Sequence, residues 1–372
     1  MVEKYLHIIS FEIPSPADYG GVIDVFYKLK ALHNAGVKIH LHCFYKNRKP
    51  APDLEQFCET VSYYPRQVLP LHLKLPYIVA SRTSDVLRQR LAEDDFPVLL
   101  EGIHCTALLQ SGFLDNRRTV LRMHNLENIY YNNLAKNESQ PLKKLFFQRE
   151  SRRLLIYEKK IAPFVPHLAL TTADKEALLL LNPGAEVTVI PAFIPWQICN
   201  FPDGTGTYCL YHGNLAINEN EKAVVWLLDN VFNGLNADFI IAGKNPGKAL
   251  VQVVSKNKRA RLLANPSDEE LTALISNAQV NVLPSFNTTG VKLKILNALF
   301  NGRHCLVNDP AVKKTGLQDF CSLAETPESF KENIKHLSEI PLSETQKIAR
   351  QKYLAENYNN ANNAATIIRM LH

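Results

Sequence analysis

Eleven short apolar, β-branched runs, separated by segments with helical spacing, govern what this chain can fold into. They are KYLHIIS, IHLHCFY, PVLLEGIH, TVLRMHN, LALTTA and VTVIPA, then TYCLYHGN, DFIIAGK, RARLLAN, VNVLPS and HCLVND. Between them Val22, Phe26, Leu29 and Leu32 fall on one helical face, and SDEELTALISNA opens with Ser267 and Glu270 at capping-box separation. Strand alternating with helix predicts mostly parallel sheets covered by helices on both sides, an α/β architecture. The alternation breaks at IPAFIPWQICNFPDGTGT, residues 190–207, where Pro and Gly concentrate and where Gly204 and Gly206 read as linker, and it then restarts. The expectation is two facing, Rossmann-like, doubly wound domains, 1–194 and 195–349, with a ligand in the cleft between them. The stretch from about residue 350 to 372 reads as a helix that crosses back onto the first domain.

The 372 residues are enough for two ordinary domains, and 46% hydrophobic with 21% charged residues is globular composition. A formal charge of +6 favours anionic partners but is too mild and scattered to indicate nucleic acid. The seven cysteines form no C-x-x-C pair and most sit in apolar runs, which predicts buried free thiols in a reducing cytoplasm. The opening MVEKYLHIISFEIPSP lacks the apolar core of a signal peptide, and no apolar run nears the length of a membrane span, so a cytoplasmic protein, at most peripheral on the membrane, is expected.

Four places carry chemistry. Gly20 and Gly21 stand where the first strand turns into a helix, so backbone N–H groups could meet an anion there; a tight turn alone would also explain them. After VNVLPS a polar loop ends in Gly290, and a helix begins at about Val291 with Lys292 and Lys294 in its first turn. Cations there are unfavourable by about 0.3–1 kcal/mol each when exposed, a penalty that a bound diphosphate reverses. The third place is RMHNLE, where Arg122, His124, Asn125 and Glu127 follow a strand, and His104 ends another strand in the same way. Against a site role, Glu127 and Asn125 also suit the start of a helix, and His104 suits a structural histidine. The fourth comprises YHGNL and IIAGK, whose Gly213, Asn214 and Lys244 add two more glycine-bearing strand ends to the second domain.

In their order along nearly the whole chain, the GG loop, RMHNLE, VIPAFIP, YHGNL, IIAGK and GVKLKILNALFNG resemble glycosyltransferases of the GT-B fold. Most similar is family four, whose members are retaining and dependent on nucleotide sugars. The resemblance implies acceptor contacts in the first domain, at Arg122, Asn125, Glu127 and His104. It puts Gly20 and Gly21 at the donor phosphates, His124 at the donor sugar as the catalytic residue, and Lys292, Lys294 and the amides after Gly290 at the diphosphate. Gly213, Asn214, Lys244 and Val291 line the same donor pocket. Where the family has two glutamates this chain has Thr289 and Asn297, and Asn297 still offers a hydrogen bond to a ribose hydroxyl.

The activity that the resemblance implies is transfer of a hexose-type sugar from a UDP- or GDP-linked donor to a hydroxyl of a glycan or lipid-linked acceptor, in cell-surface polysaccharide or glycoconjugate synthesis. Because no D-x-D-centred or histidine-cluster site stands out, no metal and no cofactor beyond the nucleotide sugar are expected. The segment 142–160, with seven basic residues amid Phe146, Phe147, Leu154, Leu155 and Ile156, reads either as a face resting on anionic lipid or as a solvated face over an ordinary core stripe. A different class, a non-catalytic glycan- or nucleotide-binding protein on a decayed transferase scaffold, is the rival reading.

Overall fold

The computed structural model describes residues 3–68, 74–286 and 290–372. The chain forms two compact units, Met1–Pro195 with Tyr358–His372, and Trp196–Asn357. In the first, β1 (Lys4–Ser10), β2 (Val37–Tyr45), β3 (Thr60–Pro65), β4 (Val98–Glu101), β5 (Thr119–Arg122), β6 (His167–Ala169) and β7 (Val187–Val189) make one sheet in the order β3-β2-β1-β4-β5-β6-β7. Every pairing in it is parallel. Parallel strands covered on both faces need apolar residues throughout, and Ile8, Ile9, Ile39, Leu41, Leu99, Leu121 and Leu168 are wholly buried. The strand order reverses between β1 and β4, which opens a crevice at their carboxyl ends.

The second unit repeats the plan. Its strands β8 (Cys209–Asn214), β9 (Phe239–Lys244), β10 (Ala260–Ala264), β11 (Val280–Val282), β12 (His304–Val307) and β13 (Ser322–Leu323) run in the order β10-β9-β8-β11-β12-β13, all parallel. Its reversal lies between β8 and β11. The junction falls at Pro195, so most of the Pro- and Gly-rich stretch belongs to the second unit. Gly206 is packed rather than free: a Cβ there would lie 2.4 Å from the Asn277 carbonyl oxygen, and its N–H donates to Gln279 Oε1 at 2.6 Å.

The single terminal helix expected from the sequence is two. Glu344–Asn357 stays in the second unit, where Arg350 donates to the carbonyls of Gly302 and Arg303. Asn360–Leu371 belongs to the first, packs against the helix that follows β1, and buries Ala364, Ile367, Ile368 and Leu371 in that unit's core. Asn359 caps its start by accepting the Asn362 N–H, and Asn360 exchanges two hydrogen bonds with the backbone of Ile194. All seven cysteines are free, four of them buried.

Across β1, β2 and β3 runs a chain of hydrogen bonds with one consistent sense for neutral imidazoles. Tyr64 O–H donates to His42 Nδ1, His42 Nε2–H to His7 Nδ1, and His7 Nε2–H to Asp94 Oδ1, each at 2.9 Å. Burial holds both histidines below their ordinary value of 6.5, His42 down to about 3. The folded state therefore refuses protons that the unfolded chain accepts, so stability present above pH 6.5 is lost as pH falls toward about 3. Urea titrations at stepped pH should show the first unit's midpoint falling across that window, and less steeply in His42→Gln; a flat profile in the wild type contradicts the relay.

Candidate functional site

At the strand ends of the first unit a set of charged side chains is buried together. Asp24 and Lys28 lie one turn apart on helix α1 (Gly20–Asn34), Glu101 ends β4, Arg122 ends β5, and His124 comes two residues later. Lys28 Nζ donates to Asp24 Oδ2 at 2.9 Å and to both Glu101 oxygens at 2.7 and 2.8 Å. Arg122 grips Asp24 at 2.9 and 3.3 Å and donates to the carbonyls of Ile190 and Pro191. Asp24 Oδ1 also accepts the N–H of Phe193 at 2.8 Å. Burial pushes both carboxyls upward, but Arg122 and Lys28 outweigh it at Asp24, and Lys28 and His124 outweigh it at Glu101, so both stay ionised.

These contacts fix what the predicted residues do. The guanidinium of Arg122, wholly buried and held by Asp24 and two carbonyls, fixes the backbone and presents no exposed face to an acceptor. His124 bonds Glu101 Oε2 through Nε2 at 2.9 Å, while Nδ1 stands 3.7 Å from Asp24 Oδ2 and makes no hydrogen bond. Asp24, Glu101 and His124 could each offer a ligand atom within a 4.8 Å span, but the two carboxylates already have Lys28 and Arg122 as counter-ions, which suits an ion-pair network.

Gly20 opens α1, whose start has no side-chain cap and no acid in its first turn. The need for glycine at position 21 is steric: a Cβ would lie 2.8 Å from the ring of Phe11. Phe11, just past β1, carries no signal in the sequence, and its ring stands 5.3 Å from both His104 and His124. His104 keeps Nδ1 buried without a partner.

Asn125 is half-buried, and its side chain lies near enough to Glu127 to favour the charged carboxylate slightly. Glu127 is buried at the start of helix α2 (Glu127–Asn137), and burial, then the charge of Glu158, pushes its carboxyl up to about 8. The N–H groups of Glu127 and Asn128 donate to Glu158 Oε1, so Glu158 complements that helix start, the task the sequence suggests for Glu127 itself. Glu158 and Glu150 both belong to helix α3 (Pro141–Ile161), and Glu150 accepts the Tyr77 N–H at 2.6 Å. Both acids point inward, so the outer face of α3 keeps Lys143, Lys144, Arg149 and Arg152 exposed beside Leu142, Leu145 and Phe146, which are 84%, 63% and 43% exposed.

In the second unit helix α4 (Asn218–Trp226) follows β8, and helix α5 (Leu293–Asn301) follows β11. Gly213 and Gly243 lie opposite each other in β8 and β9, so close that a Cβ on Gly243 would meet the Gly213 carbonyl oxygen at 1.9 Å. Asn214 shapes the turn into α4 by accepting the Ala216 N–H, and Lys244 is exposed at the end of β9.

Gly290 takes φ of 67°, Val291 is half-buried, and Lys292 is the residue before α5, which starts at Leu293 rather than at Val291. Lys292 Nζ reaches the Gly290 carbonyl at 3.4 Å. Lys294 is not in solvent: Nζ donates to the Tyr211 hydroxyl at 2.9 Å and to Asn220 Oδ1 at 3.0 Å, over the Tyr211 ring. Burial pulls its ammonium down to about 8. Asn297 is buried one turn into α5 and accepts from Asn301 Nδ2 at 2.8 Å. Glu219, on α4, accepts from the Ser285 hydroxyl past the end of β11, a contact the sequence does not suggest. Thr289 lies outside the described residues.

Residues 206–339 match the family described as glycosyl transferases group 1. The chain is 27% identical over 328 residues, 79% of its own length and 80% of the relative's, to an uncharacterized 44.6 kDa protein in the cps region of Klebsiella pneumoniae. It superimposes over 99% of its length on 98% of sucrose-phosphate synthase from Thermosynechococcus elongatus, with a TM-score of 0.70 at 16% identity. A mutant of S. aureus TarM, solved in complex with fondaparinux, alpha-GlcNAc-glycerol and UDP, matches over 99% of this chain and 100% of its own with a TM-score of 0.67 at 12% identity. The fold is thus GT-B, with its two Rossmann-like sheets. The chain is a glycosyltransferase, and the match to group 1 of those enzymes covers residues 206–339, within its second unit.

Removing one partner from a buried ion network leaves an uncompensated charge and typically costs about 3–5 kcal/mol. Lys28→Met should lower the first unit's stability by about that amount in denaturant titrations; a loss below about 1 kcal/mol would show the acids accommodated without it.

Proposed function

We propose that this enzyme moves a hexose-type sugar from a UDP- or GDP-linked donor to a hydroxyl of a glycan or lipid-linked acceptor, with retention, as family four transferases do, in the synthesis of cell-surface polysaccharide or glycoconjugate. One observation carries the reading: the group 1 match spans the loops at the carboxyl ends of β8, β9 and β11, where Gly213, Asn214, Lys244, Gly290, Val291, Lys292, Lys294 and Asn297 lie. The UDP bound by TarM and the cps-region setting of the Klebsiella relative point the same way.

Cleavage of the bond between the anomeric carbon and phosphate builds positive charge on the sugar ring and negative charge on the leaving diphosphate. Lys292 and the amides after Gly290 meet the diphosphate, while Lys294 braces Tyr211 and Asn220 beneath it and adds positive potential. Asn297 takes the ribose. Gly20 and Gly21 give the uncapped start of α1 access to the donor phosphates, and His124, oriented by Glu101, turns Nδ1 to a sugar hydroxyl. Asn125, Glu127 and His104 serve the acceptor side, with Glu127 as a hydrogen-bond donor when its carboxyl is protonated. No protein base is assigned, because in chemistry that follows the family resemblance the acceptor hydroxyl attacks on the leaving-group face and the diphosphate itself helps take its proton. The exposed apolar and basic residues at the start of α3 suit the surface of an anionic membrane that presents a lipid-linked acceptor.

Calorimetry with UDP and GDP should show one of them bound, and Lys292→Ala should weaken it roughly ten- to a hundredfold, the worth of a charge-assisted hydrogen bond. Lys294→Ala should weaken it too and also lower the second unit's melting temperature. Unchanged nucleotide affinity in both variants and in their combination removes the lysines from the donor site. Chelation by EDTA should leave donor turnover unchanged, and its abolition, with rescue by added divalent cation, overturns the metal-free assignment.

A further inference from the structure

Near the same crevice of the first unit lie three nitrogen-bearing side chains that the buried ion network does not use. Past the end of β3 the Arg66 N–H donates to the Tyr45 carbonyl and the Gln67 N–H to the Ser81 carbonyl, at 2.8 and 2.9 Å. That pairing sets Arg66 beside Arg82. Arg82 is buried, and its Nε–H and Nη1–H donate to the carbonyls of Phe11 and Ile78, each at 2.8 Å. These partners are neutral; among the described residues no carboxylate lies within ion-pair distance of either guanidinium, and Arg82 Nη2 makes no hydrogen bond. Arg66 Nε is buried without a hydrogen-bond partner. His104 packs on the ring of the same Phe11 whose carbonyl Arg82 holds, with Nδ1 likewise buried and unpartnered.

The three feel one another. Burial and then the Arg66 charge pull Arg82 down to about 10, and burial, then Arg82, His124 and Arg66 in that order, keep His104 neutral. The acids nearby do not answer them: Asp18 is paired with Arg48, Glu127 is pushed toward its neutral form, and Glu12 accepts the Ile13 N–H and acts on Arg82 only at a distance. Two like charges with orphaned polar atoms are costly unless something anionic completes them. Planar guanidinium groups match the oxygens of a phosphoryl group two at a time.

We propose that Arg66, Arg82 and His104 form a subsite for a phosphoryl group carried by the acceptor. The identification of the bearer as the acceptor rests on the transfer reading above; the anion site itself does not. The full-length protein is saturated with whichever nucleotide it binds, to fill the donor pocket, and inorganic phosphate is then titrated by calorimetry. Wild type should bind phosphate under these conditions, Arg66→Gln should weaken it at least tenfold without changing nucleotide affinity or melting temperature, and Arg82→Lys should weaken it as well. No phosphate binding beside bound nucleotide, or equal affinity in wild type and Arg66→Gln, overturns the subsite. If neither UDP nor GDP binds while phosphate still does so through Arg66, the donor reading fails and the anion site stands.

Discussion

Two acids and two bases share one buried place at the strand ends of the first unit, and the arrangement there depends on all four being present. Taking each ion out of water costs several kcal/mol, offset only when geometry and hydrogen bonds are complete. Asp24 has Arg122, Lys28 and the Phe193 amide; Glu101 has both its oxygens on Lys28 and one on His124. The formal charges of the two acids and the two bases cancel. The network therefore fixes α1, β4, β5 and the backbone from Ile190 to Phe193 in a single register, and sets the orientation of His124 by the same bonds. A set of apolar residues would fill the space at lower desolvation cost, so net stability alone does not account for the network.

Much of this is legible in the sequence. The eleven apolar runs are strands, and the two strands without a clear signal, β3 with TVSYYP and the two-residue β13, both lie at sheet edges. An edge strand is covered less and carries a weaker apolar signal. At the site, residues immediately after strands can be found because topology places function there. Asp24 and Lys28 cannot, since an acid and a base four apart on an amphipathic helix look like an exposed pair. Nor can the attachment of Lys294 to Tyr211 and Asn220, which depends on partners 83 and 74 residues away. Gly21 and Gly243 attract attention for their freedom, yet what requires them is proximity, to the Phe11 ring in one case and to a neighbouring backbone in the other.

Helix α3 shows how counting charges misleads. By composition its glutamates temper a basic stretch, but Glu150 and Glu158 turn inward and serve the amide groups of Tyr77, Glu127 and Asn128. The solvent sees a more basic face than the composition suggests. Each inward acid meanwhile joins α3 to another segment of the first unit, so the helix that displays this charge is also one that braces the site.

The helix Asn360–Leu371 fills the core of a unit whose other residues precede the whole of Trp196–Asn357. During synthesis at roughly 5–20 residues per second, the face of α1 that this helix covers stays open for about ten to thirty seconds while the second unit is made. The second unit, continuous in sequence, closes its own core in that interval. The part of the protein that begins first is thus completed last, and the nascent chain carries an unfinished apolar surface that a holding chaperone is suited to shield.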